Sequence, residues 1–135
     1  MPAQEILDSY KEFSDSYYRL LTYSRRAKED FEIDNVVKRF KMTFDLLLKN
    51  LSFILKQYKV SCKYPSDYIK SAAKFGIIHN ETIYLLMLDD KYKISNQSNS
   101  KITGEVYKNI KTKYLIILRK YLEKIEKEYI RVSAK

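Results

Sequence analysis

The chain has 135 residues, with 26 Lys and Arg against 17 Asp and Glu, a net charge of +9, one His and one Cys. That length predicts one domain over residues 1–135, large enough to bury roughly two-thirds of its unfolded surface, and 45% hydrophobic residues supply a core. Two glycines and two prolines exclude a β-sandwich or barrel, whose tight turns draw on those residues. A single Cys62 excludes an internal disulfide and a Cys-based zinc site. The longest apolar run, Ile83 to Leu88, falls far short of a membrane span, and Met1-Pro2-Ala3-Gln4-Glu5 lacks the basic and apolar regions of a signal peptide. The expectation is a soluble, cytoplasmic, mostly helical domain with no membrane partner.

Apolar spacing predicts helices almost throughout. In the first segment Ile6, Tyr10, Phe13, Tyr17 and Leu20 recur at helical steps. In the second, Ile33, Val37, Phe40, Phe44, Leu47, Leu51, Ile54 and Tyr58 alternate steps of four and three, one continuous stripe on a helix of about seven turns. Pro65 suits the first turn of a short third helix, and Gly76 its end. Asn80 is placed to cap a fourth, which ends in the polar run Ser95 to Ser100. The last helix starts near Asn99 to Thr103 and reaches about Arg131. It carries two apolar rows, one at Val106, Ile110, Tyr114 and Ile117 and the other at Leu115, Leu118, Leu122, Ile125 and Tyr129. Three long helices and two short ones, joined by short loops, make an all-α up-and-down bundle. Stripes this wide point to a helix-mediated homodimer.

The charge is uneven. Residues 1–67 hold 12 basic and 10 acidic side chains, residues 68–135 hold 14 and 7. A basic C-terminal half suits an acidic or polyanionic partner, nucleic acid included, or simply a lysine-rich solvated face.

The chemical inventory is poor. There is no glycine-rich phosphate loop and no Gly-x-Ser-x-Gly elbow. His79 has no Cys or His at metal-ligand spacing and suits a loop or cap. Cys62 has no redox pair. No metal or cofactor is implied. One spot stands out: Asp89-Asp90 is followed by Lys91 and then Ser95-Asn96-Gln97, where an apolar helix gives way to polar residues. These form either a C-terminal cap and turn or the rim of a pocket at the open end of the bundle.

The stretch Val37-Lys38-Arg39-Phe40-Lys41-Met42-Thr43-Phe44-Asp45-Leu46-Leu47-Leu48-Lys49 resembles the Arg-Phe-x-x-Thr-Phe-Glu-Leu-x-Trp-Lys signature of the nucleotidyltransferase substrate-binding proteins, small bundles of the HEPN superfamily. Pro65 to Ala72 with Phe75-Gly76-Ile77-Ile78, then Met87-Leu88-Asp89-Asp90-Lys91, then Val106-Tyr107 with Ile110, are similar to the following blocks of that family, in order. The resemblance covers about residues 33–125. It implies a bundle like the C-terminal domain of kanamycin nucleotidyltransferase, a homodimer, and a minimal nucleotidyltransferase as partner. Toxin members carry an Arg-x4-His motif that cuts RNA and a nearby Tyr that is modified.

Here Lys91 stands at the motif Arg, Asn96 at the His and Ser98 at the Tyr. Asn has no titratable group for proton transfer, and Lys lacks the planar two-pronged grip of Arg on phosphate. The resemblance therefore implies a non-catalytic binding subunit of a two-component, toxin–antitoxin-like system. Lys91 would attract a phosphate or acidic group, Ser95 and Asn96 would hydrogen-bond substrate, and Arg39 would contact substrate or partner or else hold Asp89 or Asp90, which serve as structural support. Two alternatives stay open: an RNase toxin with a degenerate motif, and a basic RNA-binding module.

Overall fold

Most helix ends coincide with a local signal. In the computed structural model, which describes residues 4–97 and 99–131 (the side chain of Gln97 excepted), α1 spans Gln4–Arg26 and α2 spans Asp30–Gln57. Between them Glu29 and Glu32 form a capping box. The Glu32 carboxylate accepts from the backbone N–H groups of Glu29 at 3.0 Å and Lys28 at 3.2 Å, satisfying donors that a helix start leaves open. Those two bonds hold its pKa below the usual carboxylate value.

Helix α3 (Pro65–Lys74) begins on its proline, and α4 spans Glu81–Gln97. Asn80 precedes α4 in the left-handed region at φ 64°, its backbone carbonyl accepting from Ile83 N–H. The Asn99 side chain caps the last helix by accepting from Ile102 N–H at 3.0 Å. That last rod, α5 (100–130), is α-helical over Ser100–Asn109, π-helical over Ile110–Tyr114, α-helical over Leu115–Ile125 and π-helical again over Glu126–Ile130.

Helices α2 and α3 end in the same way. After α3, Gly76 at φ 73° gives its N–H to Ala73 O while Ile77 N–H reaches back to Ala72 O. After α2, Lys59 at φ 60° and Val60 repeat that pair of bonds to Lys56 O and Leu55 O. Both are Schellman turns, but only one has the glycine the left-handed position favours.

Helix α2 is the hub, packing against α1, α3, α4 and α5. Its predicted stripe is the core from Val37 to Ile54, with Phe40, Phe44, Leu47, Leu51 and Ile54 fully buried. The two ends of the stripe differ: Ile33 is half-buried and Tyr58 exposed. Side-chain links fix the register. Ser9 and Ser16 on α1 meet Asn50 and Thr43 on α2, so these helices run antiparallel. Phe40, Asn50 and Tyr58 on α2 meet Tyr114, Tyr121 and Tyr129 on α5, so these run parallel.

The bundle is all-α, with no strand among the described residues. Helix α4 runs to 17 residues, longer than the short element expected, and ends at Gln97 within the polar run Ser95 to Ser100. No described helix is long and apolar enough to cross a membrane.

The two apolar rows predicted on α5 prove to be one face. Thr103, Val106, Ile110, Tyr114, Leu118, Leu122 and Ile125 are buried, whereas Ile116 is 56% exposed. From Val106 to Leu118 the buried positions advance by three steps of four, and each overshoots a full α turn by about 40°. The π turn at Ile110–Tyr114 takes up that drift, since its i→i+5 bonding accommodates an extra residue.

Candidate functional site

A row of charged residues lies beside the apolar stripe of α2. Asp34, Lys38, Lys41 and Asp45 follow the same four-three-four beat as Ile33, Val37, Phe40 and Phe44, offset by one residue and hence by about 100°. With Met42 and Leu46 they form one wall of a groove of about 820 Å³. The C-terminal turn of α4 contributes Ile94 and Ser95, and α5 contributes Thr103. Met42 is 56% exposed, an apolar side chain held open on a charged surface.

Two smaller hollows adjoin the groove. One, of about 640 Å³, shares Asp34 and Lys38 with it and is completed by Tyr23, Arg26, Phe31, Glu32 and Asn35 at the α1–α2 turn. The other shares Asp34 and Thr103 and lies against Asn99, Ser100 and Gly104. The three together make a furrow along the N-terminal half of α2, around the end of α4 and the start of α5.

Lys91 is half-buried and its ammonium sits 2.5 Å from Asp45 Oδ1, so it ties α4 to α2 at the edge of this furrow. Ser95 lines the groove, and its hydroxyl donates to the carbonyl of Lys91 at 3.1 Å. Asn96 is exposed on the same last turn and does not line the groove. Ser98 lies outside the described residues.

The expected bond from Arg39 to Asp89 or Asp90 is not formed. The Arg39 guanidinium lies over the ring of Tyr23 at 4.2 Å, against α1. Asp89 is exposed and pairs with Lys93 at 3.3 Å. Asp90 is buried at 3% exposure. It accepts from Tyr114 Oη at 2.5 Å and from Asn109 Nδ2 at 3.0 Å, both on α5. Arg39 is directed to α1, whereas Asp90 faces the π turn of α5.

Of the residues the sequence singled out, Ser95 lies in the groove and Lys91 at its margin, joined by one hydrogen bond. Lys38, Lys41, Asp45 and Thr103 were missed. The signal for the first three was the charged row in phase with the core stripe, which reads as solvated helix surface until α4 is laid beside it.

Elsewhere, exposed His79 places Nε2 3.3 Å from Lys124 Nζ, and Lys124 also donates to the Gly76 carbonyl. Cys62 is half-buried, with Sγ 3.8 Å from Ser71 Oγ. Among the described residues no group of three or more His, Cys, Asp or Glu gathers to hold a metal. On α5, Arg119 and Arg131 pair with Glu123 and Glu126, which with Lys124 commits three basic residues of the C-terminal half to neighbours.

The model of one protein family, described as nucleotidyltransferase substrate binding protein like, matches residues 5–127. The chain belongs to that family. The match reaches all five helices of the chain, including α1, which lies outside the resemblance at residues 33–125. No curated protein matches it.

Proposed function

We propose that this chain is the non-catalytic binding subunit of a two-chain nucleotidyltransferase. Its partner supplies metal, nucleotide and transfer chemistry, and the α2–α4 furrow supplies a wall of the substrate cleft. The observation that carries the reading is the state of Lys91 and Asn96. Lys91 is neutralised by Asp45 at 2.5 Å, and Asn96 has no group that moves a proton near neutral pH. A furrow that sets Met42, Leu46 and Ile94 among charged and polar side chains is suited to holding a molecule, while among the described residues no hydrogen bond joins one of its hydroxyls to a carboxylate or histidine that would activate it. Lys38 and Lys41 are hydrogen-bond donors available to a substrate, the Ser95 oxygen can accept while its O–H is held by the Lys91 carbonyl, and Lys91 becomes a donor when Asp45 is displaced.

The same reading takes the bundle as HEPN-like and homodimeric. The apolar width of α5 is accounted for within one chain, so the dimer rests on Ile116, 56% exposed.

Copurification with the nucleotidyltransferase encoded beside this chain is the test. A stable complex is expected, and failure to bind any such enzyme removes the reading. Metal-independent cleavage of RNA by the purified wild-type chain would replace it with an RNase.

A further inference from the structure

A small cavity lies where the α3–α4 turn meets α5. Tyr84, on the first turn of α4, lines this cavity of about 70 Å³, which has room for about five water-sized groups. Tyr84 is 3% exposed. The other four buried tyrosines each donate a hydrogen bond, Tyr10 to Glu126, Tyr17 to the Leu115 carbonyl, Tyr114 to Asp90 and Tyr121 to Asn50. The Tyr84 hydroxyl makes none among the described residues, and it is not sealed from solvent as Arg39 Nε is. Its oxygen therefore opens on the hollow that Tyr84 lines. Burial pushes its pKa up, so it stays a protonated donor at neutral pH. A buried donor without an acceptor calls for an explanation.

The rest of the lining says which acceptor fits. Lys120 and Lys124 stand one turn apart on α5 and both border the cavity, with His79 and Asn80 from the α3–α4 turn. Like charges at that spacing repel on a helix, and no Asp or Glu belongs to the lining. Lys120 makes no ion pair among the described residues. Lys124 gives one N–H to the Gly76 carbonyl and lies 3.3 Å from His79 Nε2, so one of the three ammonium donors is left over. The carboxylate between them in sequence, Glu123, is committed to Arg119. Three isoleucines complete the lining beside Tyr121, and such low-polarity surroundings strengthen a hydrogen bond to charge.

We infer that this cavity binds a phosphate-type oxyanion, held between the Tyr84 hydroxyl and the ammonium groups of Lys120 and Lys124. Tyr84 comes from α4 and the lysines from α5, so the bound group has to offer oxygens on more than one side. A tetrahedral anion does so and a flat carboxylate does not, and bonds to its charged oxygens are of the strong, charge-assisted kind. The site is separate from the furrow. Tyr84 and Ser95 stand eleven residues apart on α4, about 16 Å at 1.5 Å per residue. The seat requires neither the furrow's role nor the nucleotidyltransferase partnership.

Calorimetric titration of the full chain with inorganic phosphate, in a chloride buffer, tests it. Saturable binding is expected, weakened about tenfold by Tyr84→Phe and by Lys120→Ala, since each removes one bond to a charged group. Lys113→Ala takes the same charge from another exposed position of α5 and should leave the affinity unchanged. In phosphate-free buffer Tyr84→Phe should melt no lower than wild type, because its hydroxyl serves no bond within the fold. A lower melting temperature there would mean that the hydroxyl has a partner, and would overturn the seat. No phosphate binding, equal affinity in wild type and both cavity variants, or equal losses in Lys113→Ala and Lys120→Ala would overturn it too, as would acetate binding as tightly as phosphate. Methyl phosphate distinguishes the sources: binding at least as tight as inorganic phosphate assigns the seat to the terminal phosphate of a larger molecule, and weaker binding assigns it to the free ion.

Discussion

Asp90 on α4 and Tyr114 on α5 meet through a 2.5 Å hydrogen bond in the core, and Tyr114 is the last residue of the π turn that keeps the buried row of α5 in phase. Tyr114 also stacks on Phe40 of α2 at 5.2 Å, so one side chain links three helices. Asp90→Ala would leave the Tyr114 hydroxyl and the Asn109 amide without their acceptor. The expected loss is about 2–4 kcal/mol, in line with orphaning buried donors of a charge-assisted bond. Tyr114→Phe should cost less, because Asp90 keeps Asn109. Urea unfolding of both variants checks the order, and a larger loss for Tyr114→Phe would assign more of the stability to the Tyr114 hydroxyl than to the Asp90 carboxylate.

Asn50 joins three helices in the same manner. Its amide donates to Ile6 O at 3.2 Å and Ser9 Oγ at 3.0 Å, and its carbonyl accepts from Tyr121 Oη at 2.7 Å. Asn50 is fully buried. Asn50→Ala leaves a void and strands groups on both neighbours, which should destabilise by about 3 kcal/mol. Asn50→Leu refills the void but leaves the same groups unanswered, and should recover only part of the loss. Full recovery in thermal melts would show the network to be dispensable.

Phe44 sits mid-stripe on α2, fully buried, its ring 6.2 Å from that of Phe40. Phe44→Ala should cost about 3–5 kcal/mol, a large share of a total near 5–15. A melting temperature within a few degrees of wild type would contradict this.

Lys59 offers a gain. It holds the left-handed position after α2 at φ 60°, where Gly76 serves after α3 at φ 73°. Replacing a side chain by hydrogen there removes a steric cost of about 1–2 kcal/mol, offset in part by the looser unfolded chain. Lys59→Gly is expected to stabilise by about 0.5–1 kcal/mol, measured by denaturant midpoint. No gain would mean that Lys59 makes compensating contacts.

Alkali should unfold the protein. Burial, and then the neighbouring Glu126, push Tyr10 up to about 12. Burial also raises Tyr17, Tyr84, Tyr114, Tyr121 and Tyr129 above the ordinary value of 10.0. A group whose folded pKa exceeds its unfolded one contributes stability that is complete below the unfolded value and lost as pH rises through the folded one. Stability should therefore hold to about pH 10 and fall steeply above it, through 12 for Tyr10. Near-UV absorbance should show these buried tyrosines ionising only with unfolding. Ionisation of these six near pH 10, with the fold intact, would contradict it.

Much of the bundle was legible in one dimension because helix formation is periodic. The four-three steps from Val37 to Ile54 are the core of α2, and Pro65, Gly76 and Asn99 mark helix ends through backbone preferences that act locally. The order of blocks around Arg39, Pro65, Asp90 and Val106 was likewise enough to point to the family. What lay beyond the sequence was phase and partnership across helices. Two rows on α5 looked like two faces until the π turn brought them onto one, an adjustment that requires α1, α2 and α4 as packing templates. Arg39 and Asp90 looked like a pair by residue type, yet one is directed to Tyr23 and the other to Tyr114, because side-chain direction depends on how each helix is rotated in the bundle. The furrow beside Lys38 and Lys41 exists only once α4 and α5 are laid against α2. Local rules determine which residues form helices; the rotation and register of those helices, set by packing one face at a time, decide which side chains meet.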